Sequence, residues 1–139
     1  MVRKAIIKQL DKYFPDYDIY GEEIEQGFEE PCFFVQQLPK TRKKEIQSYQ
    51  DSVSFDIQGF LDIYEEDLNE KYNVIGDTLL EKLEYLTLDE NKKIRGSQMN
   101  YEIRDRVLHF NVTYTSYRQV VQDREKMKSL DVKESVKDG

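Results

Sequence analysis

Apolar residues recur with two different periods along the chain, and together these periods predict a protein built from both helices and strands. Between Val2 and Tyr13 they recur every three or four positions, which predicts a short helix that ends before Pro15. A second helical stripe over residues 65–86 predicts one long central helix. Its apolar positions are Leu68, Tyr72, Ile75, Leu79, Leu83 and Leu86. Gly76 lies inside this helix, and glycine costs about 1 kcal/mol there relative to alanine, so we expect a close helix-on-sheet contact at that point.

Strict alternation of apolar and polar residues predicts the strands. Residues 18–28 are short and interrupted by Gly21 and Gly27, so they predict a brief strand and a loop. The first well-defined strand is predicted from Cys32 to Leu38, between two prolines. Residues 53–58 and 98–103 alternate in the same way, and residues 107–121 predict the longest strand. Four residues of that strand are expected to face the core: Leu108, Phe110, Val112 and Tyr114. Residues 104–106 predict a tight turn between the last two strands.

The order of these elements predicts an α+β fold. We expect a mostly antiparallel sheet, with the N-terminal helix and the one long central helix packed on one face. Residues 1–121 are predicted to form a single domain, and residues 122–139 a charged C-terminal tail.

Composition narrows the class of protein. The chain has 139 residues, a formal net charge of -7 and 10 tyrosines with 7 phenylalanines, which is too aromatic for a disordered chain. A sequence pI near 4.9 argues against general affinity for nucleic acid or anionic membranes. No run approaches the roughly 20 apolar residues that span a bilayer. Cys32 is the single cysteine, so no internal disulfide is possible and a reducing cytosol is expected as the site of synthesis.

Four cations fall within five residues of this acidic chain: Lys40, Arg42, Lys43 and Lys44. The flanking strands predict an antiparallel hairpin with these cations as a turn at its tip. Three interpretations stay open. The cations could keep a solvated hairpin tip soluble, they could contact an acidic patch on another protein or another copy, or they could bind nucleic acid. Interleaved aromatics are absent and the net charge is negative, which disfavours the last.

The C-terminal tail raises a similar question. It is nearly all charge, with a few apolar residues that include Met127, Leu130 and Val132. Such a segment either stays solvated or becomes ordered on a partner. If it docks, these three side chains are the expected contacts.

No catalytic, cofactor or metal signature emerges. His109 is the only histidine and lies on the polar face of a predicted strand, whereas a transition-metal site needs three or four ligands. Cys32 alternates with Phe34 and is expected to be a small core residue rather than a nucleophile. The paired glutamates show no spacing that distinguishes an acid–base pair from a solvated loop. We therefore expect a protein that is not an enzyme and has no cofactor.

One stretch resembles a known family. "FPDYDIYGEEIEQGFEEPCFFV", Phe14 to Val35, is similar to the N-terminal signature of small tail terminator proteins of long-tailed phages and prophages. The later "SFDIQGF" strand, the long helix and the final aromatic strand follow in the order that this family has. The matching signature residues are Ile19, Tyr20, Glu22, Glu23, Gln26, Gly27, Phe28, Pro31, Cys32, Phe33 and Phe34.

The resemblance implies a structural virion protein, made in the bacterial host cytoplasm. Such proteins form a ring, usually of six copies, on the head-proximal end of the tail tube. The implied partners are other copies of the chain, the tail tube protein and the head–tail connector proteins, with no membrane, and DNA passes through the ring without specific binding. The alternatives are another head–tail joining protein, such as a connector or stopper, and a small cytosolic enzyme or regulator whose site the sequence does not reveal.

Overall fold

The computed structural model describes residues 2–21 and 28–119. Within them, two α-helices are found, α1 at Val2–Tyr13 and α2 at Leu68–Lys82. A short 3-10 turn covers Asp89–Asn91. The strands, in chain order, are β1 Asp18–Tyr20, β2 Cys32–Gln37, β3 Thr41–Lys44, β4 Ser48–Phe60, β5 Tyr85–Thr87, β6 Lys93–Arg104 and β7 Val107–Gln119.

The chain divides into two compact units. The first contains residues 1–41 and 52–115, and the second contains residues 42–51 and 116–139. The described part of the second unit consists of residues 42–51 and 116–119.

In the first unit the strands lie in the order β1-β2-β4-β7-β6-β5. The sheet is mixed: β1 pairs with β2 in parallel, whereas β2 with β4, β5 with β6 and β6 with β7 are antiparallel. The α+β class is confirmed, with two helices, whereas the sheet that was predicted as mostly antiparallel is a mixed sheet.

Helix α1 contacts β5 as well as β1 and β2. Because β1 and β5 are the two edge strands, the sheet must curl far enough for one helix to touch both of its edges. The helix inserts Ile6 and Leu10 into the core, and both are fully buried. Each edge strand is only three residues long, and the helix beside them limits the exposed sheet edge.

Both helices share one hydrophobic core with the inner face of the sheet. The predicted alternation is confirmed, because Val53, Phe55 and Ile57 are buried in this core. Leu108, Phe110, Val112 and Tyr114 are also buried there, as the sequence predicts. The predicted turn is confirmed as well. Asp105 and Arg106 both have positive φ angles, 53° and 64°, which suits a two-residue hairpin turn with the twist of the flanking strands.

The predicted bounds of the central helix, residues 65–86, are wrong at both ends, and α2 begins only at Leu68. Helix α2 stops at Lys82, Leu83 is its C-cap, and Leu86 lies in β5 instead. Leu86 pairs with Ile94 of β6 and is buried, so it reaches the same core from a strand. Leu86 follows Leu83 by three residues, a spacing that fits a helix, but leucine is also compatible with a strand. Only the backbone pairing with β6 places it in a strand.

The predicted turn at the basic residues is also wrong. Thr41–Lys44 forms strand β3, which pairs with β4, and the chain turns between Lys44 and Ser48. The amide of Glu45 donates to the carbonyl of Ser48 at 2.8 Å and closes this turn. Arg42, Lys43 and Lys44 therefore lie along one arm of a hairpin rather than at its tip.

Candidate interaction surfaces

The signature stretch forms two aromatic clusters, one on each face of β2. On one face, the ring of Phe33 lies 5.0 Å from the rings of both Phe14 and Tyr17. On the other, Phe34 contacts three rings at centroid distances of 5.0 to 5.3 Å. These rings belong to Tyr20, Phe28 and Phe60. Adjacent aromatics in a strand point to opposite faces, so the two phenylalanines of the signature anchor separate clusters. Its described aromatic residues thus have a structural role.

Cys32 begins β2 and is fully buried. Burial raises the pKa of its thiol to about 12, with smaller contributions from Glu30 and Asp18. The thiol is therefore protonated at neutral pH, which is the state of a core residue rather than of a nucleophile. The prediction that Cys32 is a small core residue is confirmed.

His109 lies on the polar face of the sheet, as predicted. Its Nδ1 atom is 3.7 Å from the carboxylate of Asp56 on β4. Next to this pair, the hydroxyls of Ser54 and Thr113 are 2.7 Å apart. Polar side chains thus bridge β4 and β7 on the face opposite the core. Among the described residues, no group of three or more His, Cys, Asp or Glu side chains is placed to hold a metal ion.

The predicted basic residues have unequal surroundings. In the second unit, the guanidinium of Arg42 donates to both carboxylate oxygens of Asp51, at 2.6 and 2.9 Å. It also lies 4.7 Å from the ring centroid of Tyr49. Lys43 and Lys44 are exposed. Arg42 therefore helps to hold the hairpin together, whereas Lys43 and Lys44 present exposed charge.

Lys40 precedes β3, in the first unit, and is exposed as well. Met127, Leu130 and Val132 lie outside the described residues, as does the predicted tail at residues 122–139.

Sequence reasoning missed two features of the second unit. Ile46, in the turn of the hairpin, is 92% exposed. Arg118 lies 5.4 Å from the ring centroid of Tyr49, so this tyrosine has contacts with two arginines. The sequence did hold a signal for the exposed Ile46, because this isoleucine stands alone between a charged run and a strand. The second feature joins residues far apart in the sequence and carried no local signal.

Within the described residues, no helix is both long and apolar enough to cross a bilayer.

A comparison with curated proteins found no significant match. A family model described as phage tail terminator protein matches residues 1–128. Since this range covers most of the 139 residues, the chain belongs to the phage tail terminator family, whose members are structural components of the virion rather than enzymes.

Proposed function

We propose that this protein caps the head-proximal end of the phage tail tube as a ring of copies, stops growth of the tube and provides the surface to which the head attaches. The observation that carries this proposal is the match of residues 1–128 to the tail terminator family. Membership implies contact with other phage tail or head proteins. The finer assignment, to a ring of six copies between the tail tube protein and the head–tail connector proteins, is part of the proposal.

The cap acts by shape and contact rather than by chemistry. A ring made from identical chains needs two different surfaces on each copy, and it closes only if the rotation between neighbours closes. The described structure offers exposed charge and isolated exposed apolar side chains for such contacts, among them Lys43, Lys44 and Ile46.

We assign the hairpin cations Lys40, Arg42, Lys43 and Lys44 to contacts with a neighbouring copy or with the connector. In a chain of net charge -7, a local positive segment is attracted to the acidic surface of other copies. Met127, Leu130 and Val132 of the tail are proposed for the same kind of contact, on the basis of their apolar side chains in an otherwise charged segment.

The net charge of -7 supports a ring that does not bind the DNA passing through it. A ring that lets DNA pass must not hold it, and a cationic lining would bind the phosphates. We expect no measurable binding of duplex DNA at physiological salt. A lumen that proves strongly basic would contradict this part of the proposal.

The decisive experiment is electron microscopy of particles from a lysate that lacks this gene alone. Filled heads beside tails of abnormal length are expected, because growth of an uncapped tube continues. Tails of normal length that stay detached from heads would instead assign the protein to head–tail joining. Complete infectious particles would overturn both assignments, and complementation with the wild-type gene is the control.

A further inference from the structure

Helix α1 carries a positive surface in an acidic protein. Four of its twelve residues are cationic and one, Asp11, is acidic. Lys4, Lys8 and Lys12 recur every four residues and are exposed, so they form one outward row over about 12 Å of helix. Arg3 is half-buried and adds to the positive charge. Asp11 lies on the same exposed side, and Asp89 lines the groove beside the lysines. These two acids reduce the positive charge of the face, but the three lysines and Arg3 outnumber them.

Helix α2 carries the opposite charge on its exposed face. Glu70, Val74, Asp77 and Glu81 recur at steps of four, three and four residues, which keeps them on one stripe over about 16 Å. Three of the four are acidic, and the side chain of Glu81 is 74% exposed. Val74, between the acids, is 63% exposed and leaves an apolar contact unfilled in the single chain.

The two neighbouring lysines of α2 do not cancel this stripe. Lys71 forms its ion pair with Glu65, which precedes the helix. The ammonium of Lys82 is 3.9 Å from Glu81, at the limit of an ion pair, and lies over the ring of Tyr13 at 4.8 Å. Glu70 and Asp77 therefore keep most of the negative charge at the start and middle of the stripe.

We propose that the lysine row of α1 in one copy docks on the acidic stripe of α2 in the next copy, head to tail. This inference rests on the proposed ring and names one pair of complementary surfaces between neighbouring copies, in addition to the hairpin cations. Both helices pack into the same core with their charged faces outward, so the rows are separate surfaces of the chain, as a heterologous contact requires. Their lengths are similar and their charges are opposite. Val74 supplies an apolar centre, and the stems of the lysines can cover it.

A charge-swap experiment tests this pairing in a phage that lacks the gene and is complemented from a plasmid. Variant K4E/K8E reverses the α1 row and E70K/E81K reverses the α2 stripe. Asp77 is left unchanged because it accepts a hydrogen bond from the hydroxyl of Tyr101 at 2.9 Å. Variant R104E/R106E is the control, because it reverses the same number of exposed positive charges beside the β6–β7 turn. Since Arg104 pairs with Glu102, circular dichroism checks that the control is folded.

Each single-face variant is expected to lower the titre of infectious particles by about tenfold or more and to give overlong tails, because like charges then face each other. The four-site variant, with both faces reversed, is expected to recover to within about threefold of wild type, a deficit smaller than that of either single-face variant. Co-expression of the two single-face variants is also expected to recover, because each reversed α1 then meets a reversed α2.

Single-face variants that complement as well as the control would overturn the pairing and leave the capping function intact, because the tails would still be capped. Failure of both the four-site variant and the co-expressed pair, with circular dichroism like that of wild type, would also overturn it. Tails of normal length in the gene deletion would refute the capping function itself, whatever the variants do.

Discussion

Gly76 in α2 lies directly against the aromatic ring of Tyr101 in β6. A Cβ atom at position 76 would stand 2.6 Å from two carbon atoms of that ring. This distance is too short for a carbon–carbon contact, so the ring or the helix would have to shift. The hydroxyl of Tyr101 donates to Asp77 at 2.9 Å and holds the ring over the glycine. The glycine that weakens the helix by its intrinsic propensity is therefore what lets α2 approach the sheet.

Replacing Gly76 with alanine is expected to destabilise the protein by about 1–2 kcal/mol, because the strain of overpacking exceeds the gain in helix propensity. Urea unfolding followed by circular dichroism measures this change. The double variant G76A/Y101L lacks the ring that the added methyl group would meet. Its loss of stability should therefore be smaller than the sum of the losses in G76A and Y101L. Simple additivity would mean that the ring does not determine the need for glycine.

The hydroxyl of Tyr72 connects a loop to the β6–β7 turn. It accepts from the amide of Leu61 at 3.0 Å and donates to the carbonyl of Arg106 at 2.8 Å, and its ring is fully buried. Replacing Tyr72 with phenylalanine leaves the buried amide without this partner, at an expected cost of about 1–3 kcal/mol in the free energy of unfolding. The control is Tyr64→Phe, since Tyr64 is 84% exposed and should change stability little. Equal stability of both variants would contradict the bridging role.

Stability is expected to fall at alkaline pH because of Cys32. Burial raises the pKa of its thiol from 9.0 to about 12, so the folded state holds this proton more tightly than the unfolded chain. The resulting stabilisation is fully present below about pH 9 and is lost as the pH rises toward about 12. Comparing urea unfolding between pH 8 and pH 11 measures the loss, and Cys32→Ala should show a shallower decline. Identical slopes would show that the thiol has no part in it.

The same burial protects the thiol from reagents. At pH 8 the native protein should not react with a thiol-specific dye, whereas the urea-unfolded protein should react with one equivalent, because Cys32 is the single cysteine. Rapid labelling of the folded protein would contradict the described burial.

Reversing Lys43 and Lys44 to glutamate is expected to weaken ring assembly by about tenfold while the monomer stays folded, because both side chains are exposed and Arg42 still pairs with Asp51. Analytical ultracentrifugation and complementation titre measure assembly, and circular dichroism measures folding. The matched control is R104E/R106E. Unchanged assembly would remove these lysines from the interface.

Ile46 offers a separate test of the same hairpin. At 92% exposure its replacement with aspartate should change the free energy of unfolding by less than about 0.5 kcal/mol. If the turn inserts into a partner, the same change buries a charge in an apolar contact and lowers the titre. Full complementation by I46D would show that this turn does not insert, and Tyr64→Asp, at another exposed apolar residue, is the control for aggregation effects.

Local patterns predicted most of the elements of this fold. Alternation placed Phe55 and Phe110 in the core, and helical spacing gave α1 its bounds at Val2 and Tyr13. Both signals come from the geometry of single elements, in which the side chains of one face repeat every two or every 3.6 residues. The signature around Phe33 and Phe34 indicated the family, which the match over residues 1–128 then established.

The candidate contact surfaces were only partly predictable. The cations from Arg42 to Lys44 were visible in the sequence as a cluster. The sequence did not reveal that the guanidinium of Arg42 binds both carboxylate oxygens of Asp51 and lies over the ring of Tyr49. The charged residues of α1 and α2 are visible in the sequence, but which of them point outward depends on how each helix packs on the sheet.

By itself, the sequence determined most of the element types, the core faces of the strands and the lack of a recognisable catalytic motif, because each depends on residue type and local spacing. Only the tertiary structure decided that Leu86 belongs to a strand, that Thr41–Lys44 forms an arm of a hairpin and that β1 pairs in parallel. These outcomes depend on hydrogen bonds to strands that are distant in the chain. The free energy of pairing with these strands outweighs the small intrinsic preferences of single residues for helix, strand or turn.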